Sequence, residues 1–236
     1  MSDEMKLHQM TADLQRMMDD FFTVQCRYSA AIKEVKTKLE ILDDEFQMKH
    51  RRNPIHHIES RLKTIKSIME KLSRKNHPVS MQSAVENLGD IAGIRVICSY
   101  VQDVYTVAQL LTSQDDIRLI RTRDYIKSPK ANGYRSLHLL VEVPVFLREG
   151  RTMVPVEVQI RTIAMDFWAS LEHSLRYKAA GHVPDDLCEE LHEVGEDIAS
   201  HSFTESMAEC RAFIQLTDLH SAATMASMRS WMDCIR

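Results

Sequence analysis

Glycine and proline are scarce, six of each in 236 residues. That excludes a linker-like or collagenous chain and leaves long stretches in which nothing interrupts a helix. The five cysteines (Cys26, Cys98, Cys188, Cys210 and Cys234) are odd in number, widely spaced and without a C-x-x-C pair. Neither a disulfide framework nor a thiolate zinc site is indicated, and the thiols read as reduced packing residues. No apolar run approaches the ~18–20 residues that span a bilayer. The start MSDEMKLHQM has neither the apolar core of a signal peptide nor the Arg/Ser bias of a transit peptide, so no membrane contact and a cytoplasmic location are expected. What is present, 44% hydrophobic and 27% charged residues, describes an ordered, helix-rich chain long enough for one large domain or two small ones.

The net charge of -4 hides a segregation. Residues 1–48 hold 10 acidic and 6 basic side chains and residues 182–236 hold 11 and 3, which leaves 21 basic against 13 acidic in residues 49–181. A basic centre framed by acidic ends suits binding of anions such as phosphates, scattered surface charge being the plain alternative. Three segments follow: N-terminal helices over 1–48, a catalytic or binding domain over 49–181, and acidic helices over 182–236.

Helical spacing predicts two helices up to about Phe46, a break at Asn53-Pro54 and a third helix from about His57 to Lys75. The period then changes to that of strands near 91–98, 117–121, 135–143 and 152–160, with a short helix around 103–111 and another from 163 to about 179. The expected fold is α+β, a small mixed β-sheet surrounded by helices, with long N- and C-terminal helices.

Three groups could carry chemistry. On the helix expected at 57–75, Lys63, Ser67, Lys71 and Arg74 fall on one face, a set that repels itself unless an anion lies along it; a solvated basic face is the alternative. Asp90 stands at the mouth of one strand and Glu157 lies inside V-P-V-E-V-Q-I. Together they suit Mg²⁺, which takes one or two carboxylates plus substrate phosphates, whereas separately each would form a structural ion pair with Arg95 or Arg161. The loop from Arg118 to His138 holds six Lys or Arg against one Asp, with Tyr134 following a glycine that lets backbone approach a ligand. A module that binds single-stranded RNA through Tyr134, Tyr125 and this loop is the competing class, and it leaves Asp90 and Glu157 unexplained.

The motifs D-I-A-G-I-R-V-I-C, D-Y-I-K-S-P-K-x-N-G-Y-R-S-L-H and V-E-V-Q-I-R-T together resemble the synthetase domain of the RelA/SpoT family. The likeness runs from about Lys33 to Lys178 and is closest in kind to bacterial small alarmone synthetases. N-P-I-H-H-I-E-S-R-L-K and D-F-W-A-S-L-E-H resemble the RelP branch more than the RelQ branch. The resemblance implies a nucleotidyltransferase-like sheet and transfer of the β,γ-pyrophosphate of ATP to the 3′-hydroxyl of GDP or GTP, with Mg²⁺ as cofactor. It implies that Arg61 and Arg95 sandwich the adenine, and that Lys63, Ser67, Lys71 and Arg74 hold the ATP phosphates. Asp90 would hold the metal, and Glu157 would join it or act as general base. Tyr134 would stack on guanine, with Lys130, Asn132 and His138 on the acceptor and Gln159 beside Glu157.

The chain has no His-Asp dipeptide of the kind found in the hydrolase domain of long family members, so synthetase activity alone is expected. Homotetramers are implied, with the terminal helices supplying contacts, and RNA binding is secondary. In the RelQ branch the resemblance further implies that pppGpp activates from the tetramer centre, held by cations of the helix before the Asn-Pro break. Here Lys36 to Glu45 carries four carboxylates, Glu40, Asp43, Asp44 and Glu45, so no stimulation by product is expected. Should Asp90, Glu157 and His138 converge, Zn²⁺ would compete with Mg²⁺.

Overall fold

A computed structural model describes residues 3–49, 52–178 and 192–195. The first element, α1 (Asp3–Lys49), is one helix of 47 residues rather than the two expected. No Gly or Pro interrupts it, so the chain has no reason to turn before Asn53-Pro54. Its buried stripe, Val24, Tyr28, Ala31, Ile32, Val35 and Leu39, recurs at three- and four-residue steps and joins the main core.

The expected third helix does not form over its whole length. Its first half is a strand, β1 (Ile55–Leu62), and only the second half is helical, α2 (Ile65–Arg74). Thr64 caps α2, its hydroxyl oxygen accepting from Ser67 N at 3.3 Å. Asn76, with φ 57°, takes the left-handed conformation that ends the turn before Pro78. A short helix, α3 (Met81–Asn87), was not anticipated. There follow β2 (Ala92–Cys98), α4 (Val101–Thr112), β3 (Arg118–Asp124), β4 (Leu137–Leu147), β5 (Gly150–Thr162) and α5 (Ile163–Lys178).

The five strands form one mixed sheet in the order β1-β2-β5-β4-β3. Only β2 and β5 run parallel; every other pair is antiparallel. Alternation gives the sheet two unlike faces. Ala92, Ile94 and Val96 of β2, Val154, Val156 and Val158 of β5, and Leu139, Val141 and Val143 of β4 point into the core, where α1 and α4 cover them. The intervening residues, Gly93 and Arg95, Glu157 and Gln159, His138 and Leu140, share the opposite face in matched register. There α5 packs at the ends of β2 and β5, and its Met165 and Trp168 make a second small cluster with Ile126, Tyr134 and Val194.

No helix among the described residues is long and apolar enough to cross a membrane. The expected acidic C-terminal helices over 182–236 lie, apart from 192–195, outside the described residues.

Candidate active site

The face of the sheet opposite α1 and α4 is chemical because register puts unlike side chains side by side. Arg61 of β1 pairs with Gly93 of β2, which pairs with Glu157 of β5, which pairs with Leu140 of β4. One step along, Glu59, Arg95, Gln159 and His138 form a parallel row. With no side chain on Gly93, the space between Arg61 and Glu157 stays open. A cleft of about 350 Å³ occupies it, lined by Arg61, Lys63, Asp90, Arg95, Glu157 and Gln159 among the expected residues, and by Glu59 and Ser60 besides.

Asp90 precedes β2 and receives two ammonium groups on one oxygen. Lys63 and Lys71 (2.5 Å) both donate to its Oδ2. Burial alone would raise the Asp90 carboxyl, but these two hydrogen bonds outweigh it and hold the group below the usual carboxylate range. Lys63 is shifted down, first by burial and also by the charge of Lys71, with Asp90 opposing. Two cations on one carboxylate leave a surplus positive charge, an arrangement that favours a phosphate. The other oxygen, Oδ1, is buried without a hydrogen-bond partner among the described residues, which is unusual unless it serves something beyond the chain.

Glu157 is held at both oxygens. Gln159 Nε2 donates to Oε2 at 2.9 Å, and His138 Nδ1 lies 3.4 Å from Oε1. Burial raises this carboxyl too, yet the His138 and Gln159 hydrogen bonds prevail over burial and over the charge of Asp90, and the net direction is down. Both carboxylates are therefore ionised at neutral pH, close enough to feel each other, and neither pairs with Arg95 or Arg161. Those arginines instead share Asp166 of α5, at 3.5 Å and 3.0 Å, and Arg95 also meets Glu59 at 3.2 Å. Sequence reasoning missed Glu59 because its strand read as a helix, and Asp166 because it looked like an ordinary first-turn acid.

The acceptor-side residues gather at the start of β4. Lys130 Nζ lies over the rings of Tyr125 (4.8 Å) and Tyr134 (4.4 Å), and the Tyr134 hydroxyl lies 3.0 Å from His138 Nε2. Gly133, with φ 84°, sits where a Cβ would come within 3.2 Å of Trp168, so the loop needs glycine twice over. Lys63 lies ahead of α2 rather than on its face. Of the expected residues, Ser67, Lys71, Arg74, Lys130, Asn132, Tyr134 and His138 lie outside the lining of the cleft, and the Asn132 amide donates to Glu172 of α5 at 3.0 Å. Among the described residues no three His, Cys, Asp or Glu side chains converge on a metal-sized site, so the expected zinc set of Asp90, Glu157 and His138 is not formed. Asp90 and Glu157 both line the cleft and offer two oxygen donors of the kind a hard cation takes together with phosphate and water.

Residues 60–182 match the family model described as the region found in RelA/SpoT proteins. Over 195 residues the chain is 44% identical to GTP pyrophosphokinase YwaC of Bacillus subtilis (strain 168), covering 83% of this chain and 92% of that protein. The fold is similar to the crystal structure of small alarmone synthetase 2 from Bacillus subtilis, with 41% identity, a TM-score of 0.70, and coverage of 82% of this chain and 99% of that one. It is likewise similar to small alarmone synthetase 1 from the same organism bound to its product pppGpp, with 36% identity, a TM-score of 0.72 and coverage of 84% and 99%. With the family region spanning more than half of the sequence and these synthetases matched over nearly their whole length, the chain belongs to the RelA/SpoT family, among its small alarmone synthetases.

Proposed function

We propose that this protein transfers the β,γ-pyrophosphate of ATP to the ribose 3′-hydroxyl of GDP or GTP, releasing AMP and forming ppGpp or pppGpp. The observation that carries the reading is the position of Glu157. It stands between a cationic flank of Arg61, Lys63, Lys71 and Arg95 and an aromatic flank of Tyr134, Tyr125 and Lys130. The first flank suits a triphosphate with its adenine between flat guanidinium planes, the second a base and its phosphates. Phosphoryl-type transfer asks for positioning and charge neutralisation more than covalent chemistry, and the residues supply both.

In this reading the 3′-hydroxyl oxygen bonds to the β-phosphorus, the bond from that phosphorus to the AMP oxygen breaks, and Glu157 takes the hydroxyl proton. Lys63 and Lys71 stabilise the charge on the transferred group. Asp90, whose Oδ1 has no hydrogen-bond partner among the described residues, and Glu157 would hold Mg²⁺, which neutralises charge on the phosphate oxygens. Ser67 and Arg74, on α2 with Lys71, join in holding the ATP phosphates, and Asn132, bonded to Glu172, shapes the acceptor loop. The protein works in the cytoplasm as a homotetramer, with α1 supplying subunit contacts.

Incubation with labelled ATP, GDP and Mg²⁺ tests the reading. AMP and a 3′-pyrophosphorylated guanosine nucleotide are expected in equal amounts. Release of ADP, or of no adenine product, would overturn it.

A further inference from the structure

A continuous hydrogen-bonded chain joins the acceptor-loop aromatic to the strand carboxylate. Tyr134 Oη lies 3.0 Å from His138 Nε2, and His138 Nδ1 lies 3.4 Å from Glu157 Oε1. An ionised carboxylate only accepts, so Nδ1 carries the proton donated to Glu157; Nε2 of that ring then accepts from the Tyr134 hydroxyl. Each end of the chain fixes the imidazole tautomer that the other end needs. The ring plane is fixed as well, because His138 meets Tyr125 and Tyr134 edge-on with centroids 5.1 Å and 5.8 Å away. Burial pushes the Tyr134 phenol up, so it remains a donor at neutral pH.

The geometry points to a positioning role for the Tyr134 hydroxyl, which acts through His138 to hold Glu157 in its working orientation. This rests on the reaction proposed above, in which the Tyr134 ring receives the acceptor base and Glu157 meets the 3′-hydroxyl of the same nucleotide. One side chain then does two separable things: its ring face binds the acceptor, and its oxygen aligns the base that activates it.

Steady-state kinetics of the full-length protein with ATP, GDP and Mg²⁺, following AMP, separate the two. Tyr134→Phe keeps the ring and removes the link, so kcat should fall about 5–10-fold, the effect of one hydrogen bond, while KM for GDP stays within about twofold. His138→Asn keeps a donor near the Nδ1 position and offers nothing at Nε2, so it should lose a similar factor. The double variant should be no slower than His138→Asn alone, since both cut the same chain. Wild-type kcat in Tyr134→Phe, or losses that multiply in the double variant, would overturn the inference. So would a large rise in KM for GDP in His138→Asn, because that marks direct contact with the acceptor. Failure of the wild-type protein to release AMP would instead remove the reaction itself, a distinct result from an active wild type with an unaffected Tyr134→Phe.

Discussion

Replacing Glu157 with Gln preserves a side chain that His138 and Gln159 already hold but removes its affinity for a proton and for a metal. Turnover should fall at least ~100-fold with the melting temperature nearly unchanged. Residual activity above a tenth of wild type would end the role assigned to it. Asp90→Asn should behave alike, and should also free Lys63 and Lys71, whose shared partner it is. Tyr134→Ala addresses the other flank. Loss of a stacking surface worth about 1–3 kcal/mol should raise KM for GDP roughly 5- to 150-fold and leave KM for ATP in place. An equal rise for both substrates would mean that the loop does not receive the acceptor base.

At the scale of elements, α2 is short and its placement decides where Lys71 sits. Thr64→Ala removes the hydroxyl that accepts from Ser67 N and should cost about 1 kcal/mol, seen as a lower urea midpoint at constant slope. KM for ATP should rise with it, because loosening the first turn frees the adjoining Lys63 from Asp90. The same region shows why part of the fold was legible in the sequence and part was not. Strands β2, β4 and β5 carry Val, Ile and Leu on one face, a period that survives in the sequence because that face is buried. Edge strand β1 buries little beyond Ile55 and reads H-H-I-E-S-R, so no alternation advertised it and its continuity with α2 looked helical. The site divided along the same line. Asp90 and Glu157 stood out as carboxylates among apolar neighbours, whereas Glu59 and Asp166 act on Arg95 through pairings that only the assembled sheet creates. Asn132 could not be oriented from the sequence, since a loop amide has no periodicity to announce its bond to Glu172.

Across the whole molecule, two buried acids tie stability to alkaline pH. Burial pushes the Cys98 thiol from 9.0 and the Tyr28 phenol from 10.0, each up to about 12. A raised pKa means that the folded state keeps a proton the unfolded chain gives up, so this stability is complete below about pH 9 and is lost as pH rises towards 12. Thermal melts should show a falling midpoint above pH 9, and Cys98→Ala should flatten that slope. The charges near the end of α1 argue against stimulation by product. Lys36 pairs with Glu40 at 3.5 Å, Lys38 with Asp116 at 2.7 Å, and Arg52 grips Asp103 with both of its terminal nitrogens. Cations already matched by carboxylates give a polyphosphate little to bind, so titrating pppGpp into the GDP reaction should leave the rate flat or lower it. A several-fold rise with a saturable isotherm away from the cleft would refute this. One further consequence lies in β5, where chemistry and core alternate letter by letter. Inserting a single residue before Val156 would exchange Glu157 and Gln159 for valines on the open face and drive both polar groups into oil. Such a strand has a reading frame, and tolerance of insertions and deletions in this enzyme should be confined to the Arg148–Glu149 tip and the other connections, where no frame is kept.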